Sequence, residues 1–260
     1  MKHADPLMAI LLGVFAAAIL VCIWLARRGR SFYVRRIAGV AAIEEAVGRA
    51  TEMGRPIVFA MGYTDIRNIR THVSLSVLSH VARLAARMQT QLIVTLRVMN
   101  VYPAAEETVR QAYVAEGAPD QFNAEEQVRF LSEEGILHAM GTARIIEETQ
   151  AGCGLFFGQF DFTSLLMAEP GARMGVLQIA GDPGLFQVPF FVCTCNNVII
   201  GEEYFAAGAY LSPDPTMRST LVSQDIIKAI MAALILAGTV LVQFEWGAGT
   251  WLVRQLMQYK

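Results

Sequence analysis

The stretch Pro56-Ile57-Val58-Phe59-Ala60-Met61-Gly62-Tyr63-Thr64-Asp65, the segment Thr71 to Met88 behind it, and Gln91-Leu92-Ile93-Val94-Thr95-Leu96 together decide the fold. Two short runs, apolar at nearly every position, bracket a segment with Val73, Val77, Val81, Leu84 and Met88 at helical spacing, opposite Arg83 and Arg87. A strand without polar alternation has to be covered on both faces, and such strands alternating with helices build a parallel sheet. The pattern continues outward. Ala41 to Met53 carries Ile43, Ala46, Val47 and Ala50 on one helical face and stops at Gly54-Arg55-Pro56. Pro103 opens a helix through Tyr113, and Glu125 to Leu131 and Ile136 to Glu148 read as helices with acidic faces. Gly154 to Gly158, Gly175 to Ala180 and Val188 to Cys193 read as further short strands, with a last helix from Ile199 to Tyr210. The expected fold is an α/β domain over residues 31–222, a mostly parallel sheet with helices on both faces, Rossmann-like in its three layers.

In such sheets ligands bind outside the carboxyl ends of the strands. The polar residues expected there are Gly62, Tyr63, Thr64 and Asp65, then Asn100 and Tyr102, Gln159 and Asp161, Asp182, and finally Asn196, Asn197 and Glu202. From this set Gly62, Tyr63, Thr64, Asn100, Gln159, Asp182 and Asn196 are candidate ligand-binding residues. Asp161, Glu202 and Asp65 are candidate catalytic groups, because a carboxylate among apolar neighbours must be paired, hydrogen-bonded or wet. Two of them facing each other from different strand ends would make an acid/base or cation site. The plainer reading of Glu202-Glu203 is a pair of acids satisfying a helix N-terminus.

The rest of the chain accounts for its composition: 54% hydrophobic and 17% charged residues in 260, with a mean hydropathy of +0.41. That balance excludes a disordered chain, and a net charge of -2 gives no bulk attraction to nucleic acid. Pro6 to Ala26 holds no charge and is long enough to cross a hydrocarbon core. A cleaved signal peptide would need a small-residue cleavage site, whereas Trp24-Leu25-Ala26 leads into Arg27-Arg28-Gly29-Arg30. A second apolar run lies between Lys228 and Glu245, with Trp246 and Trp251 beyond it. The expected organisation is a first span and basic flank over 1–30, a second span over 223–246, and an interfacial tail over 247–260. Arg27, Arg28, Arg30, Arg35, Arg36, Arg218 and Lys228 outnumber Lys2, Arg254 and Lys260 of the outer tails. By the positive-inside rule the domain faces the cytoplasm from the inner membrane, with both termini outside.

Chemical motifs are sparse. The sequence has no Gly-x4-Gly-Lys-Ser/Thr loop, no Gly-x-Ser-x-Gly elbow and no His-Glu-x-x-His helix. Gly152-Cys153-Gly154 with Gly158 has one residue too many for a dinucleotide loop and encloses an apolar run. Cys193 and Cys195, read on a strand, would stand about 7 Å apart, too far for an unstrained disulfide. His72 and His80 diverge around their helix and cannot share a metal, and His138 stands alone. No metal and no cofactor is expected.

Two segments carry a resemblance. Gly201-Glu202-Glu203-Tyr204-Phe205-Ala206-Ala207-Gly208-Ala209-Tyr210-Leu211-Ser212 with Gln224-Asp225 and Lys228, and Ile37-Ala38-Gly39 through Gly54-Arg55-Pro56, resemble an uncharacterised prokaryotic membrane-protein family. Its members hold a domain of unknown function between two hydrophobic segments. The resemblance implies this topology and no activity. The expected role is self-association, scaffolding or ligand sensing in a membrane assembly, with the lipid bilayer and further copies or subunits as partners and no nucleic acid. The alternative is a membrane-tethered enzyme acting at the strand-end cleft. An enzyme should gather Asp161, Glu202 or Asp65 in a cleft, whereas a scaffold should expose a flat apolar patch.

Overall fold

The structure, a computed structural model, describes residues 6–28, 38–211 and 215–243. The elements begin with α1 (Pro6–Arg27), α2 (Ala38–Glu52), β1 (Ile57–Met61), α3 (Ile69–Met88) and β2 (Leu92–Leu96). They continue with α4 (Tyr102–Ala115), the short α5 (Ala124–Gln127), β3 (Val128–Phe130), α6 (Gly135–Glu148) and β4 (Cys153–Phe157). The chain then runs through α7 (Thr163–Arg173), β5 (Leu177–Asp182), α8 (Val188–Thr194), β6 (Asn197–Ile200), α9 (Glu202–Leu211) and α10 (Pro215–Gln243). Contacts divide the chain into two units, Arg35–Ser212 and the segments on either side of it.

The larger unit is a six-stranded sheet in the order β3-β2-β1-β4-β5-β6, with every pairing parallel. The α/β reading and its parallel sheet hold. The strands alternate between two cores although their sequences hardly alternate in polarity. Phe59, Leu92, Val94, Leu155, Phe157 and Ile179 point to one face, which α2, α3, α4 and α9 cover. Val58, Ala60, Ile93, Phe156 and Ala180 point to the other, which α6, α7 and α8 cover. Phe59 stacks on Phe157 at 5.7 Å on the first face, and Phe156 on Phe191 at 6.0 Å on the second. Asn68 caps α3 by accepting the Arg70 N–H at 3.0 Å. The small residues of the Tyr204–Leu211 string serve this packing. A Cβ on Gly208 would lie 3.0 Å from Val73, so α9 seats its backbone directly on α3.

Three elements differ from the expectation. Val128-Arg129-Phe130, read inside a helix, is the edge strand β3, registered Val94 to Val128 and Leu96 to Phe130. Val188 to Cys193, read as a strand, is the helix α8, with Pro189 in its first turn where a missing N–H costs nothing. The strand is instead Asn197–Ile200, and the last helix starts at Glu202. Short apolar runs fit either state by periodicity alone. Cys193 and Cys195 therefore sit at a helix end, not on a strand, and both are free thiols.

In the smaller unit α1 and α10 lie side by side. The segment Val222–Val240 of α10 is 19 residues long and apolar enough to cross a membrane, and almost none of it is buried. In α1 the apolar stretch among the described residues is the shorter Leu12–Val21. The expected interfacial tail lies outside the described residues, as do Arg30, Arg35 and Arg36 of the basic flank.

Candidate functional site

The order of a doubly wound sheet reverses between β1 and β4, and the crevice between the loops leaving those strands is where ligands of such folds sit. Here the two loops close on each other. The Gly62 N–H donates to the Phe157 carbonyl at 2.8 Å and the Tyr63 N–H to the Gln159 carbonyl at 2.7 Å. A Cβ on Gly62 would stand 2.6 Å from the Gln159 nitrogen, and one on Gly158 would stand 2.8 Å from Gly62 Cα. The chain's own backbone fills the base of the crevice, and Gly152-Cys153-Gly154 opens β4 on its entry side.

A polar plug sits on this seal. Arg70 Nη1 donates to Gln159 Oε1 at 2.7 Å and lies 3.7 Å from Asp182 Oδ1. Asp182 is 1% exposed, and its other oxygen accepts the Gly184 N–H at 2.7 Å. Burial pushes its carboxyl above the ordinary range, Gly184 and Arg70 draw it back, and Asp161 adds to the rise. Asp161 holds a φ of +54°, a conformation a short polar side chain tolerates. Buried Gln187 fixes it there, its Oε1 accepting the N–H groups of Phe160 and Asp161 at 2.6 and 2.8 Å while its Nε2 donates to the Gly158 carbonyl at 2.7 Å. Beneath the seal, the Tyr204 hydroxyl donates to the Arg70 carbonyl at 2.8 Å and Ser74 Oγ to the Phe157 carbonyl at 2.9 Å. Tyr204→Phe strips a donor from this buried network and is expected to cost about 1–2 kcal/mol, read as a lower melting temperature of the full chain. An unchanged melt would mean the Arg70 carbonyl needs no such donor.

With the switch point sealed, open space lies toward β2 and β3. A cleft of about 440 Å³ is lined by Tyr63, Arg97, Val98, Met99, Asn100 and Glu133. The Arg97 guanidinium lies 4.5 Å over the Tyr63 ring, and its Nε donates to the Glu133 carbonyl at 2.6 Å. The Tyr63 hydroxyl donates to the Gly135 carbonyl at 3.0 Å and touches Thr163 Oγ1 at 2.9 Å and His138 Nδ1 at 3.3 Å. Burial raises the Tyr63 pKa; Thr163 and Arg97 oppose the rise. Asn100 Nδ2 donates to Asp65 Oδ2 at 2.6 Å. The exposed Asp65 carboxyl is held below its ordinary range, chiefly by the Arg67 N–H and then by Asn100.

Of the residues expected at a site, Tyr63 and Asn100 line the cleft. Gly62, Gln159 and Asp182 belong to the seal and its plug. Thr64 shares a hydrogen bond with Thr71 at 2.8 Å. Asn196 lies at the entry end of the sheet, accepting the Gln178 N–H at 2.8 Å before β6 begins, so it is not at a carboxyl end. The three candidate acids turn to separate places: Asp65 to Arg67 and Asn100, Asp161 to Gln159 at 2.9 Å, and Glu202 to the first turn of α9 beyond the far edge strand β6. Arg97 and Glu133, which the sequence reading missed, carry the cleft; a basic residue immediately past a buried strand was the available signal for Arg97.

A second feature faces outward. On α6 the side chains of Ile136, Leu137 and Met140 are exposed, the last two at 58%. Phe162, Leu165 and Leu166 at the start of α7 are also exposed, as are Leu185 at 76% and Phe186 at 69% before α8. Between α6 and α7 runs an open groove of about 840 Å³ whose lining includes Met140, Leu165, Leu166 and Pro170, with Arg144, Glu147 and Glu169 at its rim. All of this lies on the sheet face opposite α3 and α4.

Compared with known proteins, no curated protein and no solved structure matches the chain. One family profile, described as a domain of unknown function (DUF6754), matches residues 2–252. Spanning nearly the whole sequence, that match places the chain in the DUF6754 family.

Proposed function

We propose that the protein is a two-span membrane protein that presents its α/β domain to the cytoplasm, both termini outside, and that the domain works by self-association within a membrane assembly. The observation that carries the reading is the apolar face of α6 and α7. Soluble monomers rarely leave a contiguous apolar patch of this kind uncovered. A second copy is the occupant the face fits best. At the rim of this face Arg144 pairs with Glu148 and Arg173 with Glu169, so the edge is charge-balanced and two copies related by a two-fold axis meet across an apolar centre without like-charge repulsion. Tethering to a bilayer raises the effective concentration, so a modest face suffices.

The membrane half of the proposal draws support from α10. Leu234, Ile235 and Leu236 are exposed at 50%, 64% and 68%, a surface that hydrocarbon would cover. At the end of α1, the Arg28 guanidinium lies 3.5 Å over the Trp24 ring, the pairing of aromatic and cation that suits a membrane interface.

Leu137→Glu combined with Leu166→Glu tests the self-association. Both positions are exposed, so the domain should keep its circular dichroism and its melt. The wild-type chain, extracted in mild detergent, should run as a dimer or larger and the double variant as a monomer. A monomeric wild type, or a double variant of unchanged mass, contradicts the proposal.

A further inference from the structure

The cleft beside the sealed switch point holds an arginine arranged to grip something the chain does not supply. Arg97 is half-buried, its guanidinium carbon 4.5 Å over the Tyr63 ring and its Nε spent on the Glu133 carbonyl. The two Nη groups have no carboxylate partner among the described residues, whereas Arg70 at the sealed crevice is spent on Gln159 and Asp182. The ring is itself immobilised by Gly135, Thr163 and the edge contacts of His138 and Phe160 at 5.3 Å each. Under it, a Cβ on Gly135 would press on Tyr63 at 3.3 Å, so the first residue of α6 is fitted to this ring. A guanidinium held over a ring and tied through its Nε presents its Nη groups as the fork that binds carboxylate or phosphate oxygens in pairs. Val98 and Met99 give the cleft an apolar wall, and the volume lies in the range of small-molecule sites.

We propose that this cleft binds a small organic oxyanion, a carboxylate or a phosphate ester. Its charged group sits on the Arg97 fork and its carbon portion against Val98 and Met99. The inference is independent of self-association, because it rests on a different set of residues and is read by ligand binding in place of mass.

The test uses the full chain in phosphatidylcholine nanodiscs with ¹⁵N-labelled arginine. The Arg97 Nε–H resonance, assigned by its loss in Arg97→Lys, is followed while inorganic phosphate or succinate is added. At least one of the two should shift it saturably with a Kd below about 10 mM. Calorimetry should show affinity falling at least about tenfold in Arg97→Lys, which keeps the charge and loses the fork. Met99→Glu, at an exposed position that tolerates change, sets a like charge against the anion and should weaken binding similarly. Arg110→Lys, on an exposed arginine of α4 paired with Glu107, should leave it unchanged. Failure of both anions to saturate overturns the proposal, as does full affinity in Arg97→Lys or Met99→Glu, or equal loss in Arg110→Lys. A shift that appears only when phosphatidylglycerol is added to the nanodiscs overturns it in favour of a lipid headgroup.

Discussion

Gly158→Ala is expected to destabilise the α/β domain by about 3–5 kcal/mol. Two costs add. The backbone at Gly158 holds a φ of +115°, a region in which side chains other than glycine's are strained by about 1–3 kcal/mol. The new Cβ would also stand 2.8 Å from Gly62 Cα and 3.1 Å from the Gly62 nitrogen, main-chain atoms that cannot rotate away. Gly62→Ala meets the same wall from the other side, 2.6 Å from the Gln159 nitrogen, and should cost a similar amount by overpacking. Gly48→Ala is the control. It lies inside α2 with nothing within 4 Å of its Cβ, and should stabilise by about 0.5–1 kcal/mol through helix propensity. Thermal melts of the full chain in detergent should show the two seal variants roughly 10 °C or more below wild type and Gly48→Ala slightly above it. If Gly158→Ala melts with wild type, the two loops do not close on each other and the crevice between β1 and β4 is open.

The second large effect is an acid sensitivity centred on His138. The ring is 0% exposed, and burial pushes its pKa down from 6.5 to about 4, Arg97 assisting and the Thr95 backbone opposing. The group is a base whose folded pKa lies below its unfolded one. As pH falls the unfolded chain therefore takes up the proton first, and stability drops between about pH 6.5 and pH 4. The full drop from this residue is about 3 kcal/mol, and above pH 6.5 its contribution does not change with pH. His138→Phe keeps the edge contact to Tyr63 and removes the titration, so its melting temperature should fall less steeply over that interval. Asp182 acts in the opposite sense: its raised pKa lets the folded state hold a proton the unfolded chain has already lost, so its contribution improves as pH falls. Equal acid slopes in wild type and His138→Phe would show that the ring is protonated without cost and therefore hydrated.

The physical reasons for what could be read in advance are specific to elements. β1, β2 and β4 were legible because each is a short run apolar at nearly every position, and β5 because Val176 to Ala180 is apolar but for Gln178; the structure buries these strands on both faces. β3 was not, because an edge strand of three residues with Arg129 at its centre carries too little pattern against the acidic run before it. α8 was missed because Val188-Pro189-Phe190-Phe191-Val192-Cys193 is apolar throughout, which suits a buried strand as well as a helix with proline in its first turn. That misreading propagates. With α8 taken for a strand, Asn196 falls at a carboxyl end, whereas the true strand begins one residue later and leaves it at the opposite edge. Tyr63 and Asn100 were reachable because they follow strands whose ends were correctly placed. The seal was not reachable, since no local pattern says that Gly62 and Gly158, from strands far apart in sequence, touch each other.

Cross-linking in isolated membranes tests the central claim most directly, because it asks at once whether the chain sits in the bilayer and which face joins its copies. In a background carrying Cys22→Ser, Cys193→Ser and Cys195→Ser, Met140→Cys on α6 is compared with Gln111→Cys on α4, which packs on the opposite sheet face. The account predicts that the chain pellets with the membranes and that mild oxidation yields a disulfide-linked dimer from Met140→Cys alone. A chain that stays in the supernatant, or dimers formed as readily through Gln111→Cys, would contradict it.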